Sequence, residues 1–161
     1  MKKFLAFLVC ILATAAIVLA QDNNTKHVQM NSKETNIEGK YHIVDQEGES
    51  YAKVYKRADG TWCCQTYGGK PMYEKDGKTV VLDKYNQDPE LQKIPVHEAV
   101  IIFGLKYNAS KKVWEGGKIH HPFKKMMKAN CEAYFVGDGK TLCIFGNLAG
   151  IGAKRFWTKI E

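Results

Sequence analysis

The sequence predicts an all-β domain, an antiparallel up-and-down β-barrel of about eight strands, and three observations carry that reading. Asp-Gly pairs recur between strand-like runs, at Asp59-Gly60, Asp76-Gly77 and Asp138-Gly139. The primed turns that close tight hairpins need positive φ, which Asp and Gly tolerate, so the pair is a strong hairpin signal. The flanking runs alternate apolar and polar residues or are rich in β-branched and aromatic ones. Helix signal is scarce. A sheet with one apolar face and few helices to cover it can close on itself, which also removes its edges. A β-sandwich is the alternative architecture.

The chain of 161 residues suits a single domain. Its first 20 residues stand apart: Lys2 and Lys3 give a positive start, and Phe4 to Ala20 is apolar except for Thr14. A charged start, an apolar middle and a small residue at the exit describe a secretory signal peptide cleaved near Ala20. A membrane anchor is the rival reading, but no basic stop-transfer flank follows. Cys10 sits too early, behind Val9, for a lipoprotein site. Residues 21–36 are polar and aperiodic and read as a flexible leader, with the barrel domain over 37–161.

Formal charge is +7, and losing Lys2 and Lys3 leaves 22 basic against 17 acidic residues, or +5. An exported basic protein meets no nucleic acid, so the excess points to an anionic membrane surface, an acidic partner or simple solubility. Export to the periplasm or beyond permits disulfides among Cys63, Cys64, Cys131 and Cys143. No CxxC spacing is present. Neighbours Cys63 and Cys64 point to opposite faces of a strand. Cys131 and Cys143 fall on opposite faces if Asp138-Gly139 closes a two-residue turn. A bridge from Cys63 or Cys64 to one of the other two, or free buried thiols, both stay open.

Along the chain, Gly39-Lys40-Tyr41 opens the first strand, and "SYAKVYKR" and "TWCCQTY" flank the first Asp-Gly turn. "KTVVLD" follows the second and reads as a strand. In "DPELQK", Asp88 can cap, Pro89 suits a first helical position and Glu90 favours a helix N-terminus, so a short helical turn is expected over 88–94. "EAVIIFGLKY" and "KVWEGGKI" form a further hairpin, with Ile101, Phe103, Leu105 and Tyr107 expected on one face. "CEAYFV" and "TLCIFG" bracket the third Asp-Gly turn. A two-residue turn there pairs Phe135 with Leu142 and Tyr134 with Cys143. Gly116-Gly117, inside a strand, reads as a bend or close backbone approach rather than a phosphate loop, since no helix follows.

Nothing arranges a catalytic site. No serine nucleophile elbow, HExxH or P-loop occurs, and the carboxylates are scattered. A metal-dependent enzyme using His120, His121 or His97 is the least supported reading, because adjacent strand residues face apart. No metal or other cofactor is expected. The barrel interior, with Tyr41, Phe103, Trp114 and Phe135, is the candidate site for a small apolar or amphipathic ligand. Lys124, Lys125 and Lys128, around Met126 and Met127, form a basic loop suited to an anionic membrane or partner surface.

Three stretches resemble the bacterial exported family catalogued as domain of unknown function 2147 (DUF2147). "LDKYNQDPELQKIP" is similar to the family's Asp…Asn-x-Asp-Pro-x-Leu segment, through Asp83, Asn86, Asp88 and Pro89. "WEGGKIHHP" is similar to its Trp-Glu-Gly-Gly-Lys-Ile-Tyr-Asp-Pro core, through Trp114, Glu115, Gly116, Gly117, Lys118 and Pro122. "TLCIFGNLAGIGAKRFWTKI" resembles its ending through Gly146, Gly150 and Trp157. His120 and His121 stand where the family tends to have Tyr-Asp. The resemblance implies a structural role for these motifs and a small barrel akin to lipocalins and fatty-acid-binding proteins. It also implies that Gly39 and Arg155 close the barrel's end, the guanidinium stacked on Tyr41. The expectation for the whole is an exported, non-catalytic barrel of the bacterial envelope that binds a small ligand, with surface docking as the alternative.

Overall fold

A computed structural model describes residues 30–161 apart from 32, 47, 126 and 127. The signal-peptide run, most of the leader and Met126-Met127 therefore lie outside the described residues. Eight antiparallel strands form a closed barrel in chain order: β1 (Gly39–Asp45), β2 (Gly48–Lys56), β3 (Trp62–Gly69), β4 (Val100–Asn108), β5 (Val113–Ile119), β6 (Ala129–Val136), β7 (Thr141–Leu148) and β8 (Ile151–Lys159). The seam closes through Tyr41↔Lys159, His42↔Thr158 and Ile43↔Trp157. This is the up-and-down barrel the turn signals predict, and not a sandwich.

Each strand alternates faces, so every second residue enters the core. On β1 and β2 these are Tyr41 and Ile43, and Ala52 and Val54; on β6 and β7 they are Ala133 and Phe135, and Leu142 and Ile144. The β6–β7 register is the expected one, with Phe135↔Leu142 and Tyr134↔Cys143. Cys131 accordingly joins the interior cluster and Cys143 is buried outside it. Cys63, Cys64, Cys131 and Cys143 are all free and buried. Burial pushes the Cys131 thiol up to about 12 and Cys64 well above its ordinary value, so both stay protonated.

The expected face of β4 holds only in part. Ile101, Leu105 and Tyr107 pack with the core, but Phe103 does not, and Ile102, opposite Ile119, joins the core as well. The reason is a two-sided irregularity. Gly104 (φ 80°) and Gly116 (φ 77°) interrupt the β4–β5 ladder between Phe103↔Lys118 and Lys106↔Glu115. The register with β6 also slips by one residue between Trp114 and Gly117. Passing this point, both strands exchange their inward and outward residues, as a bulge does. Gly117 adds a close approach, since a Cβ there would lie 2.7 Å from a Leu105 methyl. The double glycine is thus a bend, as its sequence suggests.

The second Asp-Gly expectation is corrected. Asp76-Gly77 lies in a long β3–β4 excursion, and "KTVVLD" forms only isolated bridges, Tyr73↔Val80 and Leu82↔Pro95, instead of a barrel strand. Three single-turn 3₁₀ helices punctuate the excursion, at Lys70–Met72, Leu91–Lys93 and Val96–Glu98. The second is the turn expected over 88–94. Asp88 serves it through Oδ1, which accepts the Glu90 N–H at 3.0 Å. The Thr66 hydroxyl donates to the Val96 carbonyl and ties the excursion to β3.

The end of the leader contacts the barrel. Asn31 donates its backbone N–H to the Phe135 carbonyl at 2.8 Å and its side-chain amide to Gly137 at 2.9 Å. Ile37 is fully buried, and its carbonyl accepts the Tyr41 hydroxyl at 2.8 Å.

Candidate functional site

The barrel interior divides into a packed half and an open half. In the packed half Trp114 is fully buried, its ring centroid 4.7 Å from Tyr107, 6.0 Å from Phe135 and 6.4 Å from Trp62. Tyr41 packs 6.3 Å from Trp157. These large rings fill the space that the ligand reading assigned them to line. Tyr41, Trp114 and Phe135 are a plug, and none of them lines either of the two hollows described below.

Toward the other end the inward residues are smaller or shorter. Ile43, Ile119, Ala129, Ile144, Gly146 and Ala153 leave a cavity of about 410 Å³, open at the barrel mouth. Trp157 forms part of its floor, and His121, Pro122 and Phe123 part of its rim. Polar groups enter its wall at few points: Ser50 and Thr66 on one side, His120 on another, Asp45 and Arg155 near the mouth. That is the usual composition of a small-molecule site, a mostly apolar hollow with a few placed polar groups.

Arg155 does not close the barrel against Tyr41. Across the seam Tyr41 pairs with Lys159, four residues further on, roughly 13 Å along an extended strand. The cation at the packed end is Lys159, whose Nζ donates to the Asn36 carbonyl at 3.1 Å and lies 5.6 Å from the Phe135 ring centroid. Gly39 is at that end, where a Cβ would fall 2.2 Å from the Glu161 carbonyl oxygen.

Two of the sequence motifs converge on one buried cluster. His120 follows β5 and Asp83 lies in the excursion, yet His120 Nε2 and Asp83 Oδ1 are 2.6 Å apart, with side chains 2% and 1% exposed. Asp83 Oδ2 accepts the Asn86 side-chain amide at 2.8 Å, and the Asp83 backbone N–H donates to Ile94 at 2.9 Å. His120 itself is pinned by its backbone N–H to the Ile101 carbonyl at 2.8 Å. His120 Nδ1 is buried with no partner among the described residues. The Asn86 carbonyl accepts from Gln92 Nε2 at 2.9 Å and the Asn86 Oδ1 from the Asp88 N–H at 3.1 Å, which winds the motif so that both acidic and amide side chains turn inward.

His120 stands between two hollows. One is the mouth cavity. The other, about 330 Å³, lies between the excursion and the barrel and is bordered by Asp83, Asn86, Arg57, Phe103 and Lys128. Phe103, read from sequence as an interior residue, faces this second hollow, with Lys128 Nζ 5.0 Å from its ring centroid. Lys128 is thereby separated from Lys124 and Lys125, which are exposed beside the mouth. His121, like His120, borders the mouth cavity. His97 stacks on Tyr73 with ring centroids 6.5 Å apart. Among the described residues no group of three or more His, Cys, Asp or Glu gathers to hold a metal ion.

The Trp-Glu-Gly-Gly-Lys-Ile stretch now has a residue-by-residue account. Trp114 plugs the barrel. Glu115 faces out, where Lys111 Nζ at 2.8 Å and Asn108 Nδ2 at 2.7 Å hold its carboxyl below the ordinary range. Gly116 and Gly117 bend the strand, Lys118 donates to Asn130, and Ile119 enters the cavity wall. In the last stretch Gly150 (φ 84°) and Ala149 (φ 52°) make the tight β7–β8 turn, while Gly146 and Trp157 border the cavity. Sequence reasoning missed the cavity's isoleucines and alanines because inward position alone does not tell filled space from empty. It missed the Asp83–His120 pair because nothing local links residues 37 apart, although both lie in the motifs that carry the family resemblance.

No curated protein and no solved structure matches the chain. A family model does match, over residues 20–159, and so spans the barrel, the excursion and the buried cluster. The chain therefore belongs to the family described as "Uncharacterized protein conserved in bacteria (DUF2147)".

Proposed function

We propose that this protein is exported to the bacterial envelope and serves there as a non-catalytic carrier, holding a small apolar or amphipathic molecule in the mouth of its barrel. One observation carries the reading: the open half of the interior is a cavity of about 410 Å³ walled mainly by aliphatic side chains. Burying an apolar ligand there gains roughly 25 cal/mol for each Å² removed from water. The aromatic plug beneath it makes the rest of the interior a rigid base and limits ligand depth. The apolar run at 4–20, which ends on Ala20, supports export.

The test is titration with N-phenyl-1-naphthylamine, a neutral dye that brightens in apolar surroundings. The wild-type chain should bind it saturably at one site. Ala153→Trp places a ring into the cavity from the β8 wall and should weaken binding at least tenfold while leaving the unfolding midpoint within a few degrees. Equal binding by both would place the dye elsewhere and remove the cavity as the site.

A second reading rests on the rim. Ile151 and Val44 are 81% and 68% exposed at the mouth end of their strands, and Lys124 and Lys125 lie next to rim residue Phe123. Apolar side chains ringed by lysines suit an anionic membrane surface. Flotation with vesicles containing phosphatidylglycerol should recover the wild type, and K124E/K125E should reduce recovery several-fold. Unchanged recovery would exclude these lysines.

A further inference from the structure

We propose that the free edge of β8 at the barrel mouth is a docking site for an extended acidic segment of a partner polypeptide, added to the sheet as one more strand. The inference stands on the strand registers and not on the carrier reading. β8 pairs with β7 along nearly its whole length, from Leu148↔Ile151 to Thr141↔Thr158. Its pairing with β1 covers only Trp157 to Lys159. Among the described residues nothing pairs with the other side of Ile151 to Phe156. That open edge is about 20 Å long at the usual rise of an extended strand.

Successive residues of an antiparallel strand turn their backbone groups to opposite neighbours. The Lys159 N–H donates on the β7 side, to the Lys140 carbonyl at 2.7 Å. The Ile160 N–H donates on the β1 side, to the Lys40 carbonyl at 2.9 Å. The same alternation along β8 turns the N–H and C=O groups of Gly152, Lys154 and Phe156 to the open side. Arg155 agrees with this, since its Nη1 donates to the Lys154 carbonyl at 3.0 Å, outside the β7 ladder. The edge is also uncovered: Ile151, Ala153 and Arg155 are exposed, although all three border the mouth cavity.

Charge selects the occupant. Lys154 and Arg155 sit side by side in the open edge, on opposite faces of the sheet, and no acidic residue lies between Leu148 and Thr158. Among the described residues neither forms an ion pair. Asp45, the acid that borders the mouth cavity with Arg155, lies on β1 and already has a partner. Two β8 edges laid against each other would bring the cations of both copies together, which disfavours a second copy of this chain. An incoming strand with two consecutive acidic residues meets both cations, because its side chains alternate faces as well. A carboxylate is a stronger partner for the guanidinium than the Lys154 carbonyl, and so frees that carbonyl for the new ladder. Phe145, whose ring lies over Gly152, and half-buried Phe156 give apolar residues beside the acidic pair an outer surface to pack on.

The experiment is amide hydrogen exchange by NMR on the wild-type chain with a capped peptide, Thr-Val-Thr-Val-Glu-Glu-Val-Thr-Val-Thr, and with its counterpart carrying Lys-Lys in place of Glu-Glu. At saturation the acidic peptide should slow exchange at Gly152, Lys154 and Phe156 at least tenfold, and the lysine peptide at the same concentration less than twofold. Lys154→Pro removes one edge N–H and no bond to β7, so it should weaken the acidic peptide at least tenfold and leave the unfolding midpoint within a few degrees. Lys154→Gln, which removes the charge alone, should weaken it less than the proline does. Equal protection by both peptides would overturn the acidic partner. Unchanged binding by a folded Lys154→Pro would overturn the edge as the site, and so would protection that appears elsewhere in the barrel. No protection by either peptide would overturn the docking site while the carrier reading stands. A wild-type dimer in sedimentation that Lys154→Pro dissociates would assign the edge to a second copy and overturn the proposal.

Discussion

Trp114→Ala is expected to destabilise the barrel by about 3–5 kcal/mol, the range for emptying a large aromatic site in a core. Trp114 is fully buried and touches Tyr107, Phe135 and Trp62, so its removal hollows the plug where the other rings meet. The β-barrel walls cannot collapse onto the gap without breaking ladders. Urea unfolding should show a lower midpoint with little change in slope. Trp114→Phe should recover most of the loss. The indole Nε1 is buried without a partner among the described residues, so phenylalanine forfeits volume but no hydrogen bond. If alanine cost less than about 1 kcal/mol, the plug would not be a close-packed core.

Asp83→Ala should cost a similar amount, about 3–5 kcal/mol, for an electrostatic reason. Deleting one member of a buried hydrogen-bonded pair strands the other. His120 would keep two buried nitrogens and no partner, and the Asn86 amide would lose its acceptor. The excursion holding Asp83 would then lose its main polar tie to the end of β5. His120→Ala should be costly too, but the double substitution should cost clearly less than the two singles summed, because each single already breaks the same pair. Strict additivity in that cycle, read by urea unfolding, would show that the pair is not coupled.

Much of the architecture was legible locally. Asp138-Gly139 set the β6–β7 pairing residue for residue, and the parity of that register placed Cys131 inside and Cys143 outside. Gly116-Gly117 announced a bend. The opposite bend at Gly104 carried no such doubled signal, and it turned Phe103 out of the barrel. "KTVVLD" had strand composition after an Asp-Gly turn, yet its Asp83 is committed to His120, so tertiary context outweighed propensity. The cavity was the least legible feature. Whether an inward row is filled depends on side-chain volumes summed around the barrel: Trp114, Phe135 and Tyr107 in one half, Ala129, Gly146 and Ala153 in the other. That sum needs the register of every strand at once.

Native mass spectrometry of the chain purified from expressing cells, without added detergent, tests the carrier reading most directly. The account predicts a population one small-molecule mass heavier than the bare chain, released on mild activation and missing from Ala153→Trp. A single bare mass for the wild type, or an adduct that persists unchanged in Ala153→Trp, would contradict it.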